Sequence, residues 1–479
     1  MIPETQDPGP ETRNLHPARG SKPPAEISAF RDRFGSEPRL VVRAPGRVNL
    51  IGEHTDYNGL PVLPFAIRQS HRLAAGEGAE ARIEIANVDP RYRAQTIAVD
   101  DLVAFSPPGE WDNYLRAAIL GLTDGGLVRR EKLARGLRLL VASDLPSGVG
   151  LSSSSALVVG FALAALHVWG AEYGRLRLAE VLAEAEHYVG TRGGGMDQAI
   201  CLLGQEGHAL KIDFFPLQVE PVAFAGDIQV YLADSGVRVE KSGEGRALYN
   251  RRPIECRLAL ALFKKSLTEK GPPQITGRRP VPAEWRDGLA QAKYWGDLIR
   301  PPLDLAHETV LAMIGETFGQ SSYSMEDLSR QLGLTEAAVR ETYLKIAPGD
   351  HFSEPADGFR LRQRTEHVIA EGRRVEQAVE ALRSADWPQL ADLINASHAS
   401  CRDLHEISCP ELERLVEAAA EAGALGSRLT GAGFGGCTLH VVRSAESDRF
   451  ESAMRRQLGE SLELLRVAPS QRAEVLSVS

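Results

Sequence analysis

Gly46–Gly59 reads GRVNLIGEHTDYNG. Between Arg47 and Glu53 the run is strand-like. It then turns polar through His54 and Asp56 and closes on Asn58-Gly59, a strong turn signal. Arg47, Glu53, His54 and Asp56 sit within ten residues, with no apolar alternation to bury them. So much charge at a strand end has no partner in its own neighbourhood, and its meaning depends on what the rest of the chain brings to it.

Working outward, Leu145–Trp169 (LPSGVGLSSSSALVVGFALAALHVW) reads as a glycine-bearing loop, four serines and a nearly all-apolar helix. Ser and Gly suit a helix start. The N–H groups exposed there, with the helix dipole, favour an anion. Gly148 and Gly150 let backbone approach closely. The hydroxyls of Ser152, Ser153, Ser154 and Ser155 can add hydrogen bonds or ligate Mg²⁺. This is a phosphate cradle without the lysine of a GxxxxGK[ST] loop, which the chain lacks. A capped core helix is the plainer alternative.

His187–Ile200 (HYVGTRGGGMDQAI) places Gly193, Gly194 and Gly195 ahead of Asp197. Asp197 either caps a short helix or orients a reacting hydroxyl and takes its proton. Gly426–Val442 (GSRLTGAGFGGCTLHVV) matches GxGxxG at Gly431, Gly433 and Gly436. A dinucleotide fingerprint needs a strand before and a helix after, but here a strand-like run follows. A loop packing against the first phosphate loop fits better.

In this order the four stretches resemble the galactokinase branch of the GHMP small-molecule kinases, over residues 40–265 and 355–445. The resemblance implies an α+β fold of two lobes, with mixed β-sheets, helical layers and the active site between them. It implies ATP-dependent phosphorylation of the anomeric hydroxyl of galactose, with Mg²⁺. Glu53 and His54 would bind the hydroxymethyl end, and Asp56 would read the 3- and 4-hydroxyls. Gly194 and Tyr249 would lie beside the sugar. Arg47 would pair with Asp197 next to the transferring phosphoryl group. Glu186 and Ser154 would hold Mg²⁺, and Trp111 and Tyr114 would contact the nucleotide, with core packing the alternative for both.

Gly193–Gly195 depart from the commoner pattern toward N-acetylgalactosamine kinases and suggest room for a 2-acetamido group. Tyr249 points back to galactose. A non-catalytic sugar sensor, the third reading, would be expected to have lost the serine loop or Asp197, and both are intact.

The chain has 479 residues and a net charge of −9, which argues against a general nucleic-acid binder. Five cysteines without a CxxC pair suit a reduced cytoplasm. The most apolar run, 156–170, is too short to span a bilayer. A monomer is expected. Residues 1–25 read as a disordered, Pro-rich tail, 26–221 as a first lobe, and 222–479 as a second with an insertion over 266–350. That insertion opens on a Pro/Gly-rich loop at 271–285.

Two decoys are set aside. Met325–Lys345 resembles a helix-turn-helix, but its acids outweigh its bases. His398, Cys401, His405 and Cys409 fall on one helical face, yet at about 1.5 Å per residue they spread too far to share one ion.

Overall fold

The computed structural model describes residues 12–15, 24–190, 193–224, 226–238, 244–271, 285–347 and 350–478. The expected Pro/Gly-rich opening of the insertion lies almost wholly outside them.

The larger sheet runs Thr12–Leu15, Glu474–Val478, Leu40–Asn49, Pro64–Gly76, Leu137–Ser143, Arg82–Asn87, Gln95–Ala98 from edge to edge. Two of its pairings are parallel and the rest antiparallel. The second sheet runs Gly426–Thr430, Cys437–Arg443, Ile228–Asp234, Leu464–Val467 and is antiparallel. The fold is the expected α+β.

The helix Ser153–Trp169 is buried on nearly every face because its residues are apolar all round. It packs against Leu40–Asn49 and Pro64–Gly76 on one side and against the helices Asp112–Asp124 and Met196–Leu203 on the other. The first core is continuous across both lobes, taking in Val230, Leu232 and Leu439. A second core forms from the helix Glu244–Lys270, the inserted helices and Leu361–Arg383.

Two boundaries differ from the sequence reading. Thr12–Leu15, placed in the tail, pairs in parallel with Val475–Val478. Glu474–Val478, placed in the second lobe, pairs with Leu40–Arg43 in the first sheet. A polar tail can still add a strand, since edge pairing needs only backbone N–H and C=O groups.

Candidate active site

A cleft of about 1560 Å³ is lined from both lobes. Arg47 reaches it because the register of Leu40–Asn49 breaks between Pro45 and Arg47. Such an irregularity re-aims a side chain and accommodates proline within a strand. At Gly46 a Cβ would lie 2.5 Å from the Leu145 side chain and 2.8 Å from the Leu151 carbonyl, so glycine is required.

The serine loop follows Leu137–Ser143. Gly148, Gly150 and Ser152 have φ of 75°, 82° and 63°, and the helix starts at Ser153. A Cβ on Gly431 would lie 2.7 Å from the Gly150 carbonyl, and Cys437 N–H donates to Val149 O at 3.1 Å. The two glycine loops therefore touch backbone to backbone, as the sequence reading expects. GxGxxG spans an antiparallel hairpin, not a strand–helix turn. His71, kept neutral by burial, donates from Nε2 to the Ser153 carbonyl at 2.9 Å and steadies the first turn.

Arg47 donates from Nε and Nη2 to Asp197 Oδ1, both at 2.8 Å, and from Nη1 to Gly150 O at 2.5 Å. It thus ties the carboxylate to the phosphate loop. Asp197 stands in the first turn of the helix Met196–Leu203, where a negative charge is favoured. Ser155 Oγ donates to Glu186 Oε1 and lies 3.4 Å from Asp197 Oδ2. Of the four serines read as possible ligands, Ser154 lines the cleft and Ser155 makes this contact with Glu186. Carboxylate and hydroxyl are hard oxygen donors that fit Mg²⁺. Among the described residues no three His, Cys, Asp or Glu side chains converge as a metal site.

At the far end of the cleft, Glu53 Oε1 accepts from Gly431 N at 2.9 Å and lies 3.3 Å from Arg428 Nη1, which is wholly buried. Burial pushes the Glu53 carboxyl up, while Arg428, Arg47 and the Gly431 N–H pull it back. His54 (φ 61°) is held near 3 by burial and is therefore neutral. Its Nε2 meets Ala432 O at 3.2 Å, which must accept, so Nδ1 accepts from Tyr57 O–H at 2.9 Å. Asp56 is pushed up to about 6 by burial and by Asp197, against backbone N–H groups of Tyr57, Gly194 and Met196. The Gly194 bond to Oδ2 is 2.9 Å. The Tyr249 ring centroid is 5.4 Å from that of His54.

The glycine run has a different origin from the one expected. A Cβ on Gly194 would lie 2.3 Å from the Asp56 carbonyl carbon, and Gly195 has φ 101°. Both are fixed by backbone geometry. Only Gly193 has room, its Cβ position 3.7 Å from Glu186 Oε2 and 3.9 Å from Tyr249 Oη. Trp111 and Tyr114 line the cleft, but Trp111 is 5% exposed and donates to Arg93 O, a core residue with one edge on the site.

Behind Glu53 and His54 lie residues that carry no local signal in the sequence. Arg428 also bonds the carbonyls of Asn49 and Leu50. His367 reaches Glu53 O at 3.1 Å, and Glu371 accepts from Gly52 N. The His405 ring lies between those of His54 and His367, tilted against both with centroids 4.7 and 4.3 Å away.

The decoys resolve structurally. Met325–Leu332 and the run Glu336–Val339, which continues helically through Arg340–Leu344, bury Leu328, Val339 and Leu344 in the second core, so they serve as packing elements. His398 pairs with Glu413, and Cys401 lies against Arg428. No helix among the described residues is long and apolar enough to cross a membrane.

The family model described as the galactokinase galactose-binding signature matches residues 28–77. Those for the GHMP kinase N-terminal and C-terminal domains match 113–205 and 378–460. The galactokinase of Dictyostelium discoideum is 32% identical over 445 residues, 88% of this chain and 84% of that one. That of Chloroflexus aurantiacus is 33% identical over 438 residues, 89% and 90% of the two chains. The crystal structure of Lactococcus lactis galactokinase complexed with galactose matches with a TM-score of 0.72 over 93% of this chain and 98% of that one. At 23% identity this last is a likeness of fold. The chain belongs to the galactokinase family of the GHMP kinases.

Proposed function

We propose that this protein is a sugar 1-kinase that transfers the γ-phosphoryl group of ATP to the anomeric hydroxyl of galactose. The observation that carries the reading is the Arg47–Asp197 pair, bonded to the serine loop on one side and neighbouring the buried Asp56 on the other. An anion-binding helix start and a hydroxyl-reading carboxylate are thereby held in one cleft.

The serine loop and the N-terminus of Ser153–Trp169 cradle the triphosphate. Asp56 accepts from the 3- and 4-hydroxyls. A wrong epimer leaves this buried carboxylate short of a donor, which is costly. Glu53 orders the Gly431 loop from within while its carboxylate faces the hydroxymethyl end, with His54 beside it. Tyr249 walls the sugar. Asp197 orients the acceptor hydroxyl and receives its proton. Arg47 holds Asp197 in place and neutralises charge on the transferring group. Mg²⁺, held by Glu186 with Ser154 or Ser155, would neutralise the phosphate oxygens. Trp111 and Tyr114 border the nucleotide.

The test is ADP release from purified protein, ATP and Mg²⁺, with galactose and N-acetylgalactosamine compared at matched concentrations. Galactose is expected to turn over faster. Faster N-acetylgalactosamine would reassign the sugar. ADP from neither, or an Asp197→Ala variant as fast as the parent, would reject the reading.

A further inference from the structure

The stretch between the two GHMP models, residues 206–377, holds a segment that the mechanism does not use. It bears directly on the turn that carries Asp56. That turn is a single 3₁₀ helix, Asp56–Asn58, closed by Gly59 at φ 70°. Its front face presses on the glycine run at Gly194. Its back face presses on Tyr294–Gly296. A Cβ on Gly59 would lie 2.9 Å from Tyr294 Cβ, and a Cβ on Gly296 would lie 2.1 Å from the Gly59 carbonyl oxygen and 2.6 Å from its carbon. The second contact is backbone against backbone, so neither side has a flexible side chain that could yield.

The rear contact is itself anchored. Asp297 Oδ2 accepts from Lys293 N and Tyr294 N at 2.8 and 3.0 Å. Trp295 is buried and donates from Nε1 to Cys256 O at 3.0 Å. Lys264 Nζ donates to Ala290 O and Ala292 O at 2.9 and 2.6 Å. These bonds fix the segment to the helix Glu244–Lys270, which also carries Tyr249. Tyr294 stacks on Phe215 with centroids 3.9 Å apart and planes within 5°. Leu60, next after Gly59, is fully buried in the second core with Trp295.

We infer that Tyr294–Gly296 is the rest against which the Asp56 turn is set, so that Tyr294 and Gly296 are positioning residues for the sugar. Through them the inserted helices govern affinity for the sugar and discrimination at its 4-hydroxyl. A purely structural contact would alter stability alone, or both substrates alike. A positioning contact moves the sugar parameters and spares those of ATP, whose loop lies on the other side of Arg47.

The inference rests on the galactose-kinase reading, and the experiment separates the two. Initial rates are measured with galactose, glucose and ATP varied in turn, for the parent, Gly296→Ala, Tyr294→Ala, Tyr294→Phe and Gly315→Ala. Gly315 lies in the inserted helix His307–Thr317 with only the end of Arg362 near its Cβ position, so it serves as the control. Gly296→Ala is expected to raise the sugar KM about tenfold, to narrow the galactose-over-glucose ratio, and to hold the ATP KM within about twofold. Tyr294→Ala shifts the same way, while Tyr294→Phe and Gly315→Ala match the parent. Tyr294 is half-buried, so its variants carry the test should Gly296→Ala not fold. Sugar KM and epimer ratio at parent values in folded Gly296→Ala or Tyr294→Ala, or sugar and ATP KM rising together in them, overturn the inference. A parent that phosphorylates no sugar overturns the functional reading instead.

Discussion

Arg47→Ala removes three hydrogen bonds at once: two to Asp197 Oδ1 at 2.8 Å and one to Gly150 O at 2.5 Å. The guanidinium side chain is 7% exposed and the carboxylate 17%, so the pair is partly wet. Water can therefore solvate Asp197 after the substitution, and the stability loss stays near ~1–2 kcal/mol, below the cost of breaking a fully buried pair. The catalytic loss is larger. A preorganised group acting on charge that develops in the transition state contributes about 2.7–4 kcal/mol. At about 1.36 kcal/mol per decade, that is roughly 100- to 1,000-fold in kcat. Arg47→Lys should recover only part, because an ammonium is a point charge and cannot reproduce the fork to Asp197 and Gly150 together. ADP release at saturating galactose and ATP reads kcat, and a thermal melt by circular dichroism reports folding. A folded Arg47→Ala protein with kcat within about threefold of the parent would refute the role given to this residue.

Asp56 must be ionised to accept sugar hydroxyls, and its folded value is raised to about 6. The kcat/KM for galactose should then rise with pH up to about 6 and level off above it; a flat profile down to pH 5 would contradict this. Because the folded chain holds this proton more tightly than the unfolded one, the group's stabilising share is full below the ordinary Asp value near 4 and is lost as pH rises through about 6. Gly194→Ala drives a Cβ into the Asp56 carbonyl and should cost about 1–3 kcal/mol with loss of sugar binding, whereas Gly193→Ala should be tolerated. Equal urea midpoints and equal galactose affinities for the two would reject that contrast. Glu53→Gln takes from the wholly buried Arg428 the carboxylate 3.3 Å away and should lower stability by about 3 kcal/mol in urea denaturation. A loss under about 1 kcal/mol would mean that the buried Glu371 and the carbonyls of Asn49 and Leu50 suffice for Arg428.

The sequence makes the chemistry legible where it is local. The charged strand end, the serine loop, the Gly-Met-Asp segment and the second glycine loop meet in one cleft, and the packing of the two glycine loops follows from their composition. What depends on register is hidden. The serine that reaches Glu186 is Ser155 because Ser152, at φ 63°, serves as the cap and the helix begins one residue later. The three glycines suggest space beside a sugar, whereas Gly194 answers to the backbone of Asp56, far away in sequence. Arg428 is one arginine in a fully buried strand, and nothing near it announces Glu53 as its partner. Pairing between strands hundreds of residues apart leaves no periodic trace, which is why Thr12–Leu15 reads as tail and Glu474–Val478 as second lobe, although both pair into the first sheet.

Thr12–Leu15 has a single neighbour in the sheet, Glu474–Val478, which also covers the outer edge of Leu40–Asn49. During synthesis that partner is made more than four hundred residues after Leu40–Asn49. At about 5–20 residues per second, the edge of Leu40–Asn49 stays open for roughly 20 to 85 seconds. Throughout that interval the nascent sheet presents unpaired N–H and C=O groups to any other chain. Deleting Glu474–Val478 would make the exposure permanent, so that loss acts first as an aggregation defect, although none of these residues borders the cleft.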